Sequence, residues 1–428
     1  MRVLIIGNGI AGYSAASTLR SLDARCQITI ISAEADPLYS PCVLPDYVSG
    51  DIARERVFIK SPKDYETLSL EVVFAQRAKE IDPQKKKVLT GQGQSIPYDK
   101  LVLATGSQAV FWGEPKRGIF TLKTLGDADA ILGHGGKKAV VIGAGPIGIE
   151  IAIALLSRGY KVSLVEMMDH ILPLGLDARG AGKVKAMLEQ QGIEIYTSEK
   201  SEKILGNEKV EGVLTNHREI DCDTLIWAVG MRPRVELARE AGIEIGGKGG
   251  IKVNARMETS VPDIYACGDC IESNDILTGE PYPNMFWHNA NRQGIVVGRN
   301  CAGVPTEYIG SQSLLNVDVF GNVVLGFGFT EAALSRFQGI KAFNGKVPDV
   351  FIIEKENKRS YYRLIICGDR CMGAQFINVE LSQRAVGLIW SLMLRRRSIQ
   401  ELLKILKDRE LLYHKPWLWC LRPFFCGE

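Results

Sequence analysis

The chain has 428 residues, 46% of them hydrophobic and 24% charged, an ordinary globular composition. At roughly 100–200 residues per domain, that length predicts two to four domains. The 52 basic and 49 acidic residues leave a formal net charge of +3, too little for a broad field directed at nucleic acid or a membrane surface. Arg395–Arg397 is a local exception, read as a solvated helix face.

Met1-Arg2 is followed at once by Val3-Leu4-Ile5-Ile6-Gly7, with neither the longer apolar stretch nor the small-residue cleavage site of a signal peptide. No apolar run reaches the roughly 18–20 residues of a membrane span. The expected location is cytoplasmic, where the ten cysteines are mostly reduced thiols. Cys267/Cys270 and Cys367/Cys371 are half-sites at best, and no metal centre is expected.

One unit occurs twice. Arg2–Gly12 (RVLIIGNGIAG) and Ala139–Gly148 (AVVIGAGPIG) are apolar runs that end in glycine-rich turns. Helical patterns follow over Tyr13–Leu22 and Ile149–Arg158, then second apolar runs over Gln27–Ser32 and Lys161–Val165. Continuous apolar strands of this kind belong in a parallel sheet covered on both faces. Asp99–Ala104 and Asp223–Ala228 add a closing strand to each unit, and Gly250–Val261 is expected to be a turn and strand. From about Gln312 the pattern changes to strands over Ser313–Phe329 and Tyr361–Phe376, then a helical stretch over Leu381–Leu406. This predicts an α+β domain. The tail Leu411–Glu428 is unusually aromatic.

Gly7-x-Gly9-x-x-Gly12 stands between a strand and a helix. The first glycine makes the tight turn, the second admits a pyrophosphate to the backbone, and the third lets helix and strand pack closely. The helix N-terminus then faces the phosphates. Glu34 lies near the end of the next strand, at the ribose position. Gly143-x-Gly145-x-x-Gly148 repeats this, with Glu166 ending its strand and Met167-Met168 after it. A carboxylate there accepts a ribose 2′-OH and repels a 2′-phosphate, which favours NADH over NADPH.

With these two motifs, YDKLVLATGS (Tyr98–Ser107), AVGMRP (Ala228–Pro233), TSVPDIYACGD (Thr259–Asp269) and the Asn289–Asn300 segment carrying Gln293-Gly294, the chain resembles the pyridine nucleotide–disulphide oxidoreductase family over nearly its full length. Arg363–Phe376 is similar to the family's dimerisation domain, and the nearest likeness is to the NADH oxidase and coenzyme A-disulphide reductase branch. The resemblance implies an α/β fold with two Rossmann-like dinucleotide-binding domains, glutathione reductase-like, and a C-terminal α+β dimerisation or interface domain. The expected domains are 1–112 with 250–311 for FAD, 113–249 for NAD, and 312–428 at the C-terminus. It implies FAD contacts at Gly7, Gly9, Gly12, Glu34, Pro45, Thr105, Gly106, Gly268, Asp269 and Ala290. It likewise implies NAD contacts at Gly143, Gly145, Ile147, Gly148, Glu150, Glu166 and Gly230, with Glu150 near the nicotinamide.

Tyr39–Ile52 (YSPCVLPDYVSGDI) resembles the family segment that sets a single redox cysteine over the flavin. Tyr47 stands where a second cysteine would complete a pair, so Cys42 forms no internal disulphide there. It departs from the branch at Pro41, Val43 and Pro146. Cys42 is therefore either the redox centre or a small packing residue. Two functions follow. In one, an FAD-dependent NAD(H) oxidoreductase exchanges electrons with an iron–sulphur or other redox partner protein, as the NAD-coupling subunit of a hetero-complex. In the other, a stand-alone homodimer acts as an NADH oxidase or small-disulphide reductase through Cys42. Trp417, Trp419, Arg422, Phe424 and Phe425 favour an interface, with the partner or across a homodimer.

Overall fold

The run Val3–Ile6 is buried, and the strand Arg2–Ile6 lies at the centre of a five-stranded parallel sheet. The order across it is Ile264–Ala266, Lys100–Leu103, Arg2–Ile6, Gln27–Ile31 and Glu71–Val73. The chain is described as a computed structural model over residues 1–282, 284–335, 349–356, 360–368, 370–379 and 393. Helix α1 (Ile10–Leu22) follows the first strand and starts directly after Gly9, three residues ahead of the expected start at Tyr13. The last glycine of the motif lies inside the helix, where its missing side chain allows close packing.

A 3₁₀ turn, Pro41–Val43, leads into the short helix α2 (Leu44–Ser49). Leu44 and Val48, one turn apart, share a core with Ile149, Ala152 and Leu155 of the second unit. The Cys42 segment thus precedes the second unit in sequence but packs on it. Tyr47 donates to Asp129 at 2.8 Å on α3 (Leu125–His134), and Arg158 Nε donates to the Val48 carbonyl at 2.7 Å.

The second parallel sheet runs Glu194–Tyr196, Lys161–Val165, Lys138–Ile142, Thr224–Trp227 and Ile119–Phe120. Helix α4 (Pro146–Ser157) follows its central strand as α1 follows the first. A third, antiparallel sheet has the order Leu314–Val319, Asn322–Gly328, Arg370–Ile377, Tyr361–Cys367 and Val350–Glu356. It is pinned at the start of α5 (Ala178–Gln190). Arg363 reaches Asp177 at 3.2 Å, Glu354 at 2.7 Å and Glu331 at 2.6 Å, and Gln375 both donates to and accepts from Asp177.

Helix α6 (Trp287–Cys301) crosses α1 at glycines. A Cβ on Gly294 would run into the Ala11 carbonyl, and one on Gly298 would lie 2.6 Å from the Ala15 carbonyl. Two parallel sheets and an antiparallel C-terminal sheet match the expected fold class. The expected strand within Gly250–Val261 is shorter, only Ile251–Lys252. The Asn254 side chain accepts from the Arg256 and Glu258 amides and turns the backbone out of extended form. The stretch Leu381–Leu406 apart from Met393, Arg395–Arg397 and the aromatic tail lie outside the described residues. Among the described residues, no helix is long and apolar enough to cross a membrane.

Candidate functional site

The two glycine turns are the same construction. Gly7 and Gly143 have φ of +117° and +99°, and an added Cβ would strike the carbonyls of Ala104 and Ala228. Gly12 and Gly148 press against the carbonyls of Gly7 and Gly143. The middle glycines differ: nothing stands within 4 Å of a Cβ placed on Gly9 or Gly145. These two cap α1 and α4 without a side-chain hydrogen bond. An anion can therefore reach each helix N-terminus without meeting a side chain. Both cradles fit the pyrophosphate of a dinucleotide. Ile147, half-buried, lies in the first turn of α4 beside the second cradle.

The acidic residues beside the cradles differ in setting. Glu34 is exposed, and Tyr39 donates to its carboxylate at 2.6 Å. Glu166 is buried, and its two oxygens accept from the Ala144 and Met168 amides, each at 2.8 Å. It lies next to the second glycine turn, whose Ala144 amide it holds. Gly230, with φ of +111°, has open space around it.

Asp269 gathers groups from distant parts of the chain. Its carboxylate accepts from the Ser107 hydroxyl at 2.7 Å and pairs with Lys123 at 3.1 Å. Neither role was foreseen for Ser107 or Lys123. Ser107 closes the quoted YDKLVLATGS string, whereas no local pattern marks Lys123. Gly268 donates its amide to Gln293 Oε1 of α6 at 2.8 Å, and the buried Ala290 lies one turn before Gln293 on the same helix. Thr105 donates its hydroxyl to the Arg234 carbonyl at 2.7 Å, so it braces the Gly106 turn through Arg234. Gly106 has φ of +69° and open space around it. Pro45 is buried in the first turn of α2.

Cys42 is exposed, the other described cysteines being buried. Burial of the sulfur pushes its thiol up to about 11, reinforced by the Glu150 and Asp269 carboxylates and opposed by Ser40 and Lys123. Glu150, on the second turn of α4, has its carboxyl pushed up to about 8, by burial first and then by the charges of Asp46 and Asp318. The charges of Glu150, Asp269 and Lys123 all act on the Cys42 thiol, and Lys123 pairs with Asp269 at 3.1 Å. Among the described residues no second exposed thiol accompanies Cys42, and Tyr47 is turned to Asp129.

The model of the pyridine nucleotide-disulphide oxidoreductase family matches residues 1–294. An NADH oxidase of Methanocaldococcus jannaschii is 39% identical over 321 residues, covering 72% of this chain and 71% of that protein. The assimilatory nitrate reductase electron transfer subunit of Bacillus subtilis is 30% identical over 318 residues, or 72% of this chain. The chain spans only 40% of the length of that relative. An NAD-dependent persulfide reductase from A. fulgidus shares the fold with a TM-score of 0.86 at 29% identity, over 94% of this chain and 79% of that one.

Proposed function

The chain belongs to the pyridine nucleotide-disulphide oxidoreductase family and is an FAD-dependent NAD(P)H oxidoreductase; from that premise we propose that it exchanges hydride between NADH and FAD and passes electrons to or from a redox partner protein, as the NAD-coupling subunit of a larger complex. FAD, when bound, accepts two electrons from a nicotinamide and releases them singly or in pairs. The residues of the chain supply binding, orientation and charge. The first cradle, Gly7, Gly9 and Gly12, holds the FAD pyrophosphate, with Glu34 at the ribose and Asp269 along the ribityl chain. The second, Gly143, Gly145 and Gly148, holds NADH, and Glu166 selects it by its charge. Glu150 keeps its proton at neutral pH, so the surroundings of Cys42 carry one negative charge fewer.

The observation that carries the reading is the setting of Cys42. A thiolate is the reactive form of cysteine, and it needs nearby positive charge to form at neutral pH. Here Asp269 and, once ionised, Glu150 oppose a thiolate, and Lys123, the cation that acts on the thiol among the described residues, is already paired with Asp269. Cys42 would then take no part in passing electrons on from a bound flavin. The name of the Bacillus subtilis relative, an electron transfer subunit, supports the same reading.

A second reading has its own support. Cys42 is exposed, and the Methanocaldococcus jannaschii relative is named as an NADH oxidase. In that case the chain is a stand-alone oxidase or reductase of a small disulphide such as coenzyme A disulphide, and Cys42 serves the second half-reaction. The test is isolation of the native protein under mild conditions. An iron-containing companion reduced by NADH through this chain is the expected result. A lone yellow homodimer with disulphide reductase activity reverses the assignment.

A further inference from the structure

Glu166 has a second acidic neighbour, outside the glycine turn. The Glu166 carbonyl accepts from the Glu199 amide at 2.9 Å, and the Met168 carbonyl accepts from the Ser198 amide at 2.7 Å. The Glu166 amide donates to the Tyr196 carbonyl at 2.8 Å. Residues 196–199 therefore run beside the strand end that carries Glu166. Glu199 is buried, and one oxygen of its carboxylate accepts from the Thr215 hydroxyl at 2.5 Å and from Arg218 Nε at 3.0 Å. A carboxylate taken out of water needs such partners.

Arg218 comes from a different element. Ser201–Leu205, Gly212–Thr215 and Glu219–Asp221 form an antiparallel sheet that shares a core with Val140, Val165 and Trp227 of the second parallel sheet. The turn between its last two strands is tied to residue 200. There the Asn216 side chain accepts from the Lys200 amide at 2.8 Å, and the Asn216 amide donates to the Lys200 carbonyl at 3.0 Å. The turn thus lies at the edge where the parallel strands Lys138–Ile142, Lys161–Val165 and Glu194–Tyr196 all end, the edge that carries the second cradle. The Arg218 guanidinium lies over the Tyr196 ring, 4.3 Å from its centre, and the side chain is half-exposed. Its bond to Glu199 runs through Nε and not through the two terminal nitrogens, the pair that grips a phosphate as a fork.

We infer that Glu199 is a specificity-determining residue for the nicotinamide cofactor: by pairing with Arg218 it cancels the positive charge that would otherwise attract the 2′-phosphate of NADPH. An arginine near the strand-end acid is what accommodates a 2′-phosphate in a dinucleotide fold. Here one stands close to Glu166, but its charge is met by a buried carboxylate that Thr215 holds in place. Glu166 repels the phosphate, and Glu199 withholds the cation that could compensate. Glu199 is a positioning residue, acting through Arg218 rather than on the cofactor. The inference rests on the reading that the second cradle holds NADH, and it is independent of which acceptor takes the electrons.

The test titrates the full FAD-loaded chain with 5′-AMP and with adenosine 2′,5′-bisphosphate, which differ only in the 2′-phosphate, and follows flavin reduction by NADH and by NADPH. Glu199→Gln keeps an acceptor for Thr215 and removes the charge. It should tighten the bisphosphate by about fivefold, the scale of a partly exposed charge pair. AMP affinity should stay unchanged. The NADPH concentration for half-maximal flavin reduction should fall, while the limiting rate with NADH stays the same. Adding Arg218→Met to Glu199→Gln should abolish the gain. Arg218→Met alone leaves Glu199 charged and should weaken the bisphosphate relative to wild type. That variant decides the matter if Glu199→Gln does not fold, and an unchanged affinity in it overturns the inference. No gain in Glu199→Gln, or a gain that survives Arg218→Met, overturns it too. Equal binding of the two ligands by wild type contradicts the Glu166 assignment alone, since the comparison among variants still decides the role of Glu199. A wild type that binds neither ligand overturns both.

Discussion

The Glu166 carboxylate accepts a 2.8 Å hydrogen bond from the Ala144 amide, so the acid that ends one strand also fixes the glycine turn that ends its neighbour. Its other oxygen takes the Met168 amide. With both oxygens anchored, the carboxylate cannot swing aside for a 2′-phosphate. NADH should therefore reduce the flavin much faster than NADPH. Glu166→Ala should narrow that gap by about 1–2 kcal/mol, the scale of a lost charged hydrogen bond. Stopped-flow flavin reduction with each cofactor measures it, and equal wild-type rates would contradict the assignment. The variant should also melt lower, because the buried Ala144 amide and the half-buried Met168 amide lose their acceptor.

The purified protein should be yellow, with one non-covalent FAD per chain. Asp269→Ala should lose most of that colour and should also weaken the ligand-free fold. It removes the acceptor of both partners at once, leaving the Lys123 ammonium unpaired in a largely buried place and Ser107 with only the Met231 sulfur to donate to. A cost of about 1.5–3 kcal/mol is the scale for a hydrogen bond to a charged group. Flavin-to-protein absorbance ratios and thermal melts check the two effects separately. A variant that retains full flavin content would remove Asp269 from the site.

What was legible in the sequence is what is local. A β-branched run ending in Gly7-x-Gly9-x-x-Gly12 contains its own strand, turn and helix start, and the repeat at Gly143 confirms the period. Glu34 and Glu166 follow at the end of the next strand for the same reason. The pairing of Lys123 with Asp269 joins residues 146 apart, and neither neighbour of Lys123 hints at it. The packing of α2 was hidden in another way. Leu44 and Val48 mark an apolar face, but nothing local says that the face belongs against α4 of the second unit.

The raised Glu150 carboxyl gives a pH dependence with a definite sign. Its value rises from 4.5 to about 8 on folding, so the folded chain binds the extra proton between those limits. Stability from this group is complete below pH 4.5 and is lost as pH rises toward 8. The slope approaches about 1.4 kcal/mol per pH unit where the group is fully protonated in one state and ionised in the other. Glu150→Gln, which keeps the shape without the titration, should flatten that part of the profile and be the more stable form at pH 8. Denaturant unfolding of the ligand-free protein at a series of pH values makes the comparison. Parallel profiles for the two proteins would mean that Glu150 ionises normally.

Cys42 separates the two functional readings. Its thiol is pushed up to about 11 by burial of the sulfur, with Glu150 and Asp269 adding to the effect, so at neutral pH it carries its proton and is a poor nucleophile. If electrons leave the flavin directly, Cys42→Ser should keep flavin reduction by NADH and alter turnover with a one-electron dye only modestly, through packing beside the ring. If the thiol is the working group, the same variant should keep flavin reduction and dye turnover but lose turnover with a small disulphide. In that case the sulfur attacks the disulphide and one half leaves as a thiol. The resulting mixed disulphide is then reduced by the two electrons that NADH delivered to the flavin. Steady-state NADH oxidation by wild type and variant, with each acceptor in turn, distinguishes them. We expect the wild type to show little disulphide turnover, because Lys123, the cation close enough to stabilise a thiolate, is held by Asp269 at 3.1 Å. Lys123→Met then provides a control. Removing the cation should leave the Cys42 thiol no more reactive toward a soluble alkylating agent. A wild-type thiol that alkylates rapidly at pH 7 and becomes inert in the Met variant would show that Lys123 does sustain a thiolate, and would make the chain a thiol-dependent reductase.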